Sequence, residues 1–289
     1  MEHLHWTEPV GELRDPVMLA AFRGWNDAAS AASTALVSVG ETLGAHRVAV
    51  IDPDEFYDFQ TTRPLIDTTV NGPEAITWPE VEIYVARLPD APRDLVLVTG
   101  SEPSMRWRLF TETVLGAATH LGVGRMVLLG ALLADVVHTS PVRLTGLSPD
   151  PSLIGELNLR APTYRGPTGI VGVLQHSAAG RGVQALSLWA PVSHYAAGIT
   201  NAKASLALVE ALEPLTGIAV DVPELRDAAS AFEAQVTQAV DADPRLRSLV
   251  ERLQEAADRA AEEEDLPSGD ELAAELERYL RERGDGPSA

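Results

Sequence analysis

The chain contains no cysteine, and this absence removes several classes of function. Without thiols the protein can form no disulfide, can use no thiolate nucleophile, and can hold no zinc ion or iron–sulfur cluster through cysteine. Residues 1–8 show neither the basic start nor the apolar stretch of a signal peptide. We therefore expect a cytoplasmic protein, and we predict no metal site and no cofactor.

Basic side chains and long hydrophobic runs are also scarce. Lysine and arginine together number 22 against 42 acidic residues, so the net charge is −20. Such an acidic field repels phosphate backbones, and nucleic acid is not an expected partner. No apolar run reaches the roughly 20 residues that a membrane-spanning helix needs, so we expect no membrane segment either.

Short apolar runs alternate with segments of helical periodicity over residues 1–220. Near-continuous apolar strands are typical of parallel sheets that helices cover on both faces. We interpret as strands residues 17–22, 47–51, 81–86, 95–99, 126–133, 169–174 and 183–189. We expect helices from a cap at Asn26 or Asp27 to residue 43, from a cap at Ser104 to residue 121, and over residues 152–159 and 202–212. The sequence thus predicts an α/β core with a largely parallel sheet flanked by helices.

After residue 220 the composition changes. Residues 221–289 carry 19 acidic and 8 basic side chains, a net charge of −11. Apolar residues recur there at helical spacing, which predicts three amphipathic helices over about residues 222–240, 244–262 and 269–283. We therefore divide the chain into an α/β core, residues 1–220, and an acidic α-helical C-terminal extension, residues 221–289.

Polar residues come directly after several of the predicted strands. The run 186–195 reads as a buried strand that stops at Pro191 and is followed by Ser-His-Tyr. If the strands are parallel, these clusters share one edge of the sheet, where open α/β sheets bind ligands. The candidate ligand-binding residues are Asn26, Asp27, Asp52 and Arg106, and the candidate catalytic residues are Ser101, Glu102, His138 and His194.

Each candidate also has a structural interpretation. His138 and His194 could be general bases or metal ligands, or could bond loop carbonyls. Asp27 could cap a helix, and Asp52 could build a turn. Ser101 could be a nucleophile with a histidine and an acid, although the surrounding sequence lacks the Gly-x-Ser-x-Gly elbow of α/β-hydrolases.

Several longer motifs follow one another along the chain. They include Phe22-Arg23-Gly24-Trp25-Asn26-Asp27, Asp52-Pro53-Asp54-Glu55-Phe56-Tyr57, Gly100-Ser101-Glu102-Pro103, Tyr164-Arg165-Gly166-Pro167-Thr168-Gly169 and Leu188-Trp189-Ala190-Pro191-Val192-Ser193-His194-Tyr195. In this order they resemble the PAC2 family, which is named for eukaryotic proteasome assembly chaperones, and especially its actinobacterial branch. The resemblance covers roughly residues 15–215.

The resemblance implies a core similar to phosphorylase/hydrolase-like folds. It also implies self-assembly, with trimers as the form in the bacterial branch. It implies no reaction. We therefore expect a non-enzymatic, homo-oligomeric assembly or binding factor with a protein client. Two alternatives stay open: a hydrolase or nucleosidase-like enzyme that uses Glu102, His138 and His194, and a scaffold that recruits partners through its acidic helices.

Chaperones of this family dock on proteasome α-rings through an extreme C-terminal hydrophobic-Tyr-any motif. In this sequence Tyr279 is followed by ten residues that end in Gly-Pro-Ser-Ala. The tyrosine cannot then lie beside a free carboxylate, so we expect no proteasome docking of that type.

Overall fold

The computed structural model describes residues 2–67, 75–150, 154–155, 159 and 164–264, and among these the side chains up to residue 260 except at positions 67 and 75. The chain divides into two compact units, residues 1–239 and residues 240–289. The first unit contains every strand of the described residues, and the second begins in the last turn of a long helix and continues into another.

Strands and helices alternate through much of the first unit. The strands are β1 (Leu4–Trp6), β2 (Val17–Arg23), β3 (His46–Ile51), β4 (Leu65–Asp67), β5 (Ala75–Thr77), β6 (Val81–Ala86), β7 (Leu95–Ser101), β8 (Arg125–Ala134), β9 (Thr145–Leu147) and β10 (Gln184–Ser193). The helices are α1 (Ala31–Thr42), α2 (Trp107–His120), α3 (Ile170–Ala178), α4 (Ala202–Glu210), α5 (Glu213–Thr216), α6 (Pro223–Ala242) and α7 (Pro244–Glu264).

Eight strands form one sheet in the order β1-β3-β6-β7-β2-β8-β10-β9. The neighbours β7, β2, β8 and β10 are parallel to one another. Strand β6 is antiparallel to β7 and β3 is antiparallel to β6, so β3 points the same way as the parallel group. Most of the sheet therefore runs in one direction, and the predicted α/β fold is confirmed. Strands β4 and β5 form a separate two-stranded hairpin.

Apolar side chains cover both faces of the sheet, because alternate residues of a strand point to opposite sides. Along β2, Met18 and Phe22 join one core cluster, and Val17 and Ala21 join the other. The first cluster packs under α2 and α3, and the second packs under α1, α4, α5 and the start of α6. This two-sided burial is the reason that the strands have continuous apolar sequences.

The strand predicted over residues 169–174 is wrong, because this segment begins helix α3. Its buried side chains Ile170, Val171, Leu174 and Ala178 have helical spacing along one face. A six-residue apolar run fits a strand or a helix equally well, so periodicity alone could not separate them. A carboxylate from a distant loop supports the start of this helix, because Glu102 accepts the backbone N–H of Ile170.

Two predicted boundaries also move. Strand β10 continues through Pro191 to Ser193, because β9 pairs only with residues 187–189 and leaves an edge where proline is tolerated. Helix α2 begins at Trp107 rather than at a Ser104 cap. The Ser104 N–H bonds the Phe56 carbonyl instead, and Arg106 precedes the helix with φ of +53°.

Helices α6 and α7 match the first two helices expected in the C-terminal extension. The third, residues 269–283, and most of the helix expected over 152–159 lie outside the described residues. The boundary expected after residue 220 falls inside the first compact unit, since Leu225 and Ala229 of α6 pack into its core. Within the described ranges, no helix combines the length and the apolar character needed to cross a membrane.

Candidate functional site

The carboxyl ends of four parallel strands place the candidate residues at one edge of the sheet. Asn26 and Asp27 follow β2, Glu102 follows β7, His138 follows β8 and His194 follows β10. Helix α1, which follows β2, lies on one face of the sheet, and α2, which follows β7, lies on the other. Such a change of face between neighbouring strands marks the position where α/β sheets bind ligands.

The loops after β2 and β7 are joined by a buried amide and a carboxylate. Asn26, which is 1% exposed, donates through Nδ2 to Glu102 Oε1 at 2.5 Å. The Ile170 N–H donates to the same oxygen at 2.8 Å. A Cβ at Gly169 would lie 2.1 Å from Asn26 Oδ1, so the approach of α3 to this amide requires glycine. Glu102 thus satisfies an orphan amide in the first turn of α3.

Asp27 faces α1 rather than Glu102. Its Oδ1 accepts the N–H groups of Ala32 and Ser33 at 2.8 and 3.2 Å, and its Oδ2 accepts the Ser33 hydroxyl at 2.5 Å. Burial raises the pKa of Asp27 above its ordinary value, while these hydrogen bonds act in the opposite direction. The carboxylate therefore serves the first turn of α1 as a cap.

His138 is 6% exposed and is held through both ring nitrogens. Nδ1 lies 2.8 Å from Tyr195 Oη, and Nε2 lies 3.1 Å from Thr237 Oγ1 of α6. Because the Thr237 hydroxyl donates to the Glu233 carbonyl at 2.8 Å, it can only accept from His138. The network therefore assigns the ring proton to Nε2 and makes Nδ1 the acceptor for Tyr195. Burial lowers the pKa of His138, which favours this neutral form.

Two further contacts connect the His138 loop to α4 and α6. The backbone N–H of His138 donates to Tyr195 Oη at 2.9 Å. Lys203 of α4 donates to the His138 carbonyl at 2.8 Å and pairs with Glu233 of α6. We name these five residues, His138, Tyr195, Lys203, Glu233 and Thr237, the His138 network. Its hydrogen bonds join the loop after β8, the turn after β10 and helices α4 and α6.

His194 belongs to a different, exposed contact. Its Nδ1 lies 3.3 Å from Asp135 Oδ1, and the Asp135 side chain is 82% exposed. Its ring stacks edge-on against Tyr195 with centroids 5.7 Å apart. Within the described residues, no hydrogen bond joins Glu102, His138 and His194 to one another. The three residues share an edge, but their hydrogen bonds go to separate partners.

The backbone of Ser101 and the side chains of Asp52 and Arg106 lie in structural contacts too. The Ser101 carbonyl accepts the Tyr57 hydroxyl at 2.5 Å, and burial raises the pKa of that tyrosine. Asp52 accepts the Asp54 N–H at 3.0 Å, which is the turn-building interpretation. Arg106 pairs with Glu55. Across the described ranges, no group of three or more histidine and acidic side chains is placed to hold a metal ion.

Sequence reasoning missed Tyr195, Lys203, Glu233 and Thr237 as members of one network. Lys203 could have been noticed, because it is the single lysine among the 22 lysine and arginine residues of the chain. Glu233 and Thr237 are one turn apart on the same face of α6. Their partner His138 lies 99 residues before Thr237, a distance in sequence that no local pattern bridges.

Comparison with known proteins gives a consistent result. The family model of the PAC2 family matches residues 21–240. A PAC2 family protein from Streptomyces avermitilis is 45% identical with a TM-score of 0.75, and the match covers 82% of this chain and 100% of that one. A proteasome-assembly chaperone homologue from Mycobacterium tuberculosis is 38% identical with a TM-score of 0.74. That match covers 81% of this chain and 99% of the homologue. An archaeal proteasome activator from Pyrococcus furiosus shares the fold. It is 18% identical with a TM-score of 0.66, and the match covers 82% of this chain and 97% of the activator. No curated protein matches the chain.

Proposed function

The chain belongs to the PAC2 family, and from that premise we propose that it is a non-enzymatic assembly or binding factor for a protein client. The observation that carries the proposal is the similarity, over 81% of the chain, to a homologue of a proteasome-assembly chaperone. Proteasome subunits are therefore the first client to test. We propose that the protein acts as a homo-oligomer, with a trimer as the first state to test, and that it acts in the cytoplasm.

The contacts of the candidate site favour a binding factor over the enzyme alternative. An enzyme of the type considered would direct Glu102, His138 and His194 at one substrate. Glu102 instead serves the first turn of α3, and both ring nitrogens of His138 are occupied. His194 pairs with the exposed Asp135. Glu102 and His138 thus have structural roles that leave them poorly placed for proton transfer, and His194 shares no hydrogen bond with either of them in the described residues.

The test is recovery of the tagged, full-length protein from its own cells, with copurified proteins and small molecules both quantified. We expect proteasome subunits or another defined protein at a fixed stoichiometry. Light scattering should give a mass near three times the chain mass of 30.9 kDa. Stoichiometric recovery of a small metabolite, together with its turnover by the purified protein, would instead support the enzyme.

A scaffold function through α7 is the second candidate. Residues 251–260 of α7 are exposed with one exception, the half-buried Leu253. Acidic side chains such as Glu251, Glu255 and Asp258 lie on this exposed surface. If α7 recruits the client, a chain that ends at residue 242 should keep its number of copies per oligomer and its fold but lose the copurified protein. Retention of the client by that shortened chain would assign binding to the first unit.

A further inference from the structure

We propose that Lys203 is a gated modification site: an activated acyl group can react with its amine only after the contacts of that amine with Glu233 of α6 and with the loop after β8 have opened. The acyl group is that of an acetyl donor or of a second protein that is joined through an isopeptide bond. The inference goes beyond the proposed function, since no client takes part in it. It starts from the lysine content of the chain.

One residue carries all of the lysine chemistry of this protein. Lys203 is the only lysine among the 22 lysine and arginine residues of the chain. A lysine amine is the target of acetylation, methylation and ubiquitin-type ligation, whereas an arginine guanidinium stays protonated. Apart from the α-amino group that every chain has, Lys203 is therefore the only amine to which an acyl group can be attached.

The amine of Lys203 is held between two oxygen atoms from different parts of the fold. Its Nζ donates to the His138 carbonyl at 2.8 Å and pairs with the Glu233 carboxylate. The Lys203 side chain is 20% exposed. An ammonium group must lose a proton and present its lone pair before it can attack an acyl carbon. Because both acceptors use hydrogens of the ammonium, both contacts must open before the amine can react.

Glu233 reaches Lys203 from a part of α6 that the core fixes. Phe232, the residue before it, is 4% exposed and packs into the fold. Thr237, one turn after Glu233, accepts a hydrogen bond from the ring of His138. The gate is therefore this turn of α6, and it opens when the turn moves away from the loop after β8.

The reaction that the gate controls is an acyl transfer. The neutral amine attacks the carbonyl carbon of an acyl thioester, a C–N bond forms and the C–S bond breaks, and the thiolate that leaves takes up the proton that the nitrogen loses. Acylation removes the positive charge of Lys203, and with it the ion pair to Glu233. An acylated chain therefore cannot rebuild the closed network, so the modification marks the open state and preserves it.

Amine labelling of the full-length protein tests the gate. The variant Arg108→Lys supplies a reference amine on α2, at a position where the native side chain is exposed. The N-hydroxysuccinimide ester of acetic acid is added for a short pulse at pH 7.5, and mass spectrometry of peptides follows both amines. Lys203 should react at least about tenfold more slowly than the reference, because hydrogen bonds to charged groups must break first. Equal rates for the two amines would overturn the proposal.

A neutral replacement of Glu233 tests the ion pair as part of the gate. In the Arg108→Lys background, Glu233→Gln keeps the shape of the side chain but removes its charge, so Lys203 should react at least about threefold faster than with Glu233 intact. The matched control, Glu224→Gln, removes the same charge from an exposed position on the same helix and should leave the rate unchanged. An equal increase in both variants, or no increase in Glu233→Gln, would overturn the gate.

Two replacements of Lys203 test whether the modified chain stays open. Lys203→Gln imitates the neutral, acylated side chain, and Lys203→Arg keeps the positive charge. Hydrogen exchange of the backbone amides of residues 233–240 should be at least about threefold faster in Lys203→Gln than in Lys203→Arg, because the charged pair with α6 is lost. Equal exchange in the two variants would overturn the proposed link between modification and the open state. Far-UV circular dichroism of both variants should match that of the wild type.

Discussion

Replacement of Tyr195 by phenylalanine removes one oxygen atom from the centre of the His138 network. That oxygen accepts the His138 N–H at 2.9 Å and lies 2.8 Å from His138 Nδ1. The phenylalanine ring can keep the edge-on contact with the imidazole, whose centroid lies 5.8 Å away. The substitution therefore isolates two hydrogen bonds from the packing that surrounds them.

The cost should be large for a single oxygen atom because His138 is 6% exposed and water cannot easily replace the lost partner. A buried polar group left without a partner costs about 1–3 kcal/mol. Two such groups at one histidine, with some local relaxation, should lower the free energy of unfolding by about 2–4 kcal/mol. For a unit of this size the melting temperature should fall by about 5–12 °C.

Urea unfolding followed by tryptophan fluorescence at pH 7.5, supported by calorimetry, would measure the loss. Asp135→Asn is the control, since the exposed pair of Asp135 with His194 should contribute less than about 0.5 kcal/mol and the His194 ring stays in place beside Tyr195. A cycle with Thr237→Val should show that the two changes are not additive, because both act on one imidazole. A loss below about 0.5 kcal/mol in Tyr195→Phe would refute the two buried hydrogen bonds to His138 as stabilising contacts.

Burial lowers the pKa of His138 below its usual 6.5, so the unfolded chain takes up the proton first as pH falls. The stabilising contribution of the neutral His138 should therefore be complete above pH 6.5 and decline below it. Urea midpoints should show this decline in the wild type and not in His138→Gln. Asp27→Ala removes the acceptor of three hydrogen bonds at the start of α1 and should cost about 2 kcal/mol in the same assay. Gly130→Ala would bring a Cβ within 2.4 Å of the Trp189 ring and should cost about 1–3 kcal/mol. Gly124→Ala, with nothing within 4 Å of the added atom, is its control, and equal melting temperatures for the two glycine variants would contradict the packing.

Strands and helices whose apolar residues follow a regular short spacing could be predicted from the sequence. The continuous apolar runs identified most strands of the central sheet, because both faces of these strands are buried. The stripes after residue 222 identified α6 and α7 to within a few residues. The polar residues that follow each strand could also be found, since a strand that ends in a loop changes composition abruptly.

The partners of those polar residues could not be predicted. Asn26 and Glu102 are 76 residues apart, and Glu102 and Ile170 are 68 apart. The short apolar run at 169–174 suits a strand or a helix, and the distant carboxylate that accepts the first free N–H of the helix could not be identified from it. Local periodicity thus located most of the elements, but it carried no information about these distant partners.

The chemistry of the strand edge was decided by tertiary packing alone. His138 has the same residue type and the same position after a strand as a catalytic base would have. Contacts with Tyr195, and with Thr237 on a helix 99 residues later, occupy both of its ring nitrogens. A side chain's type and place in the sequence limit what it can donate or accept, but only the folded chain determines which groups remain free to act, because hydrogen bonds form between neighbours in space.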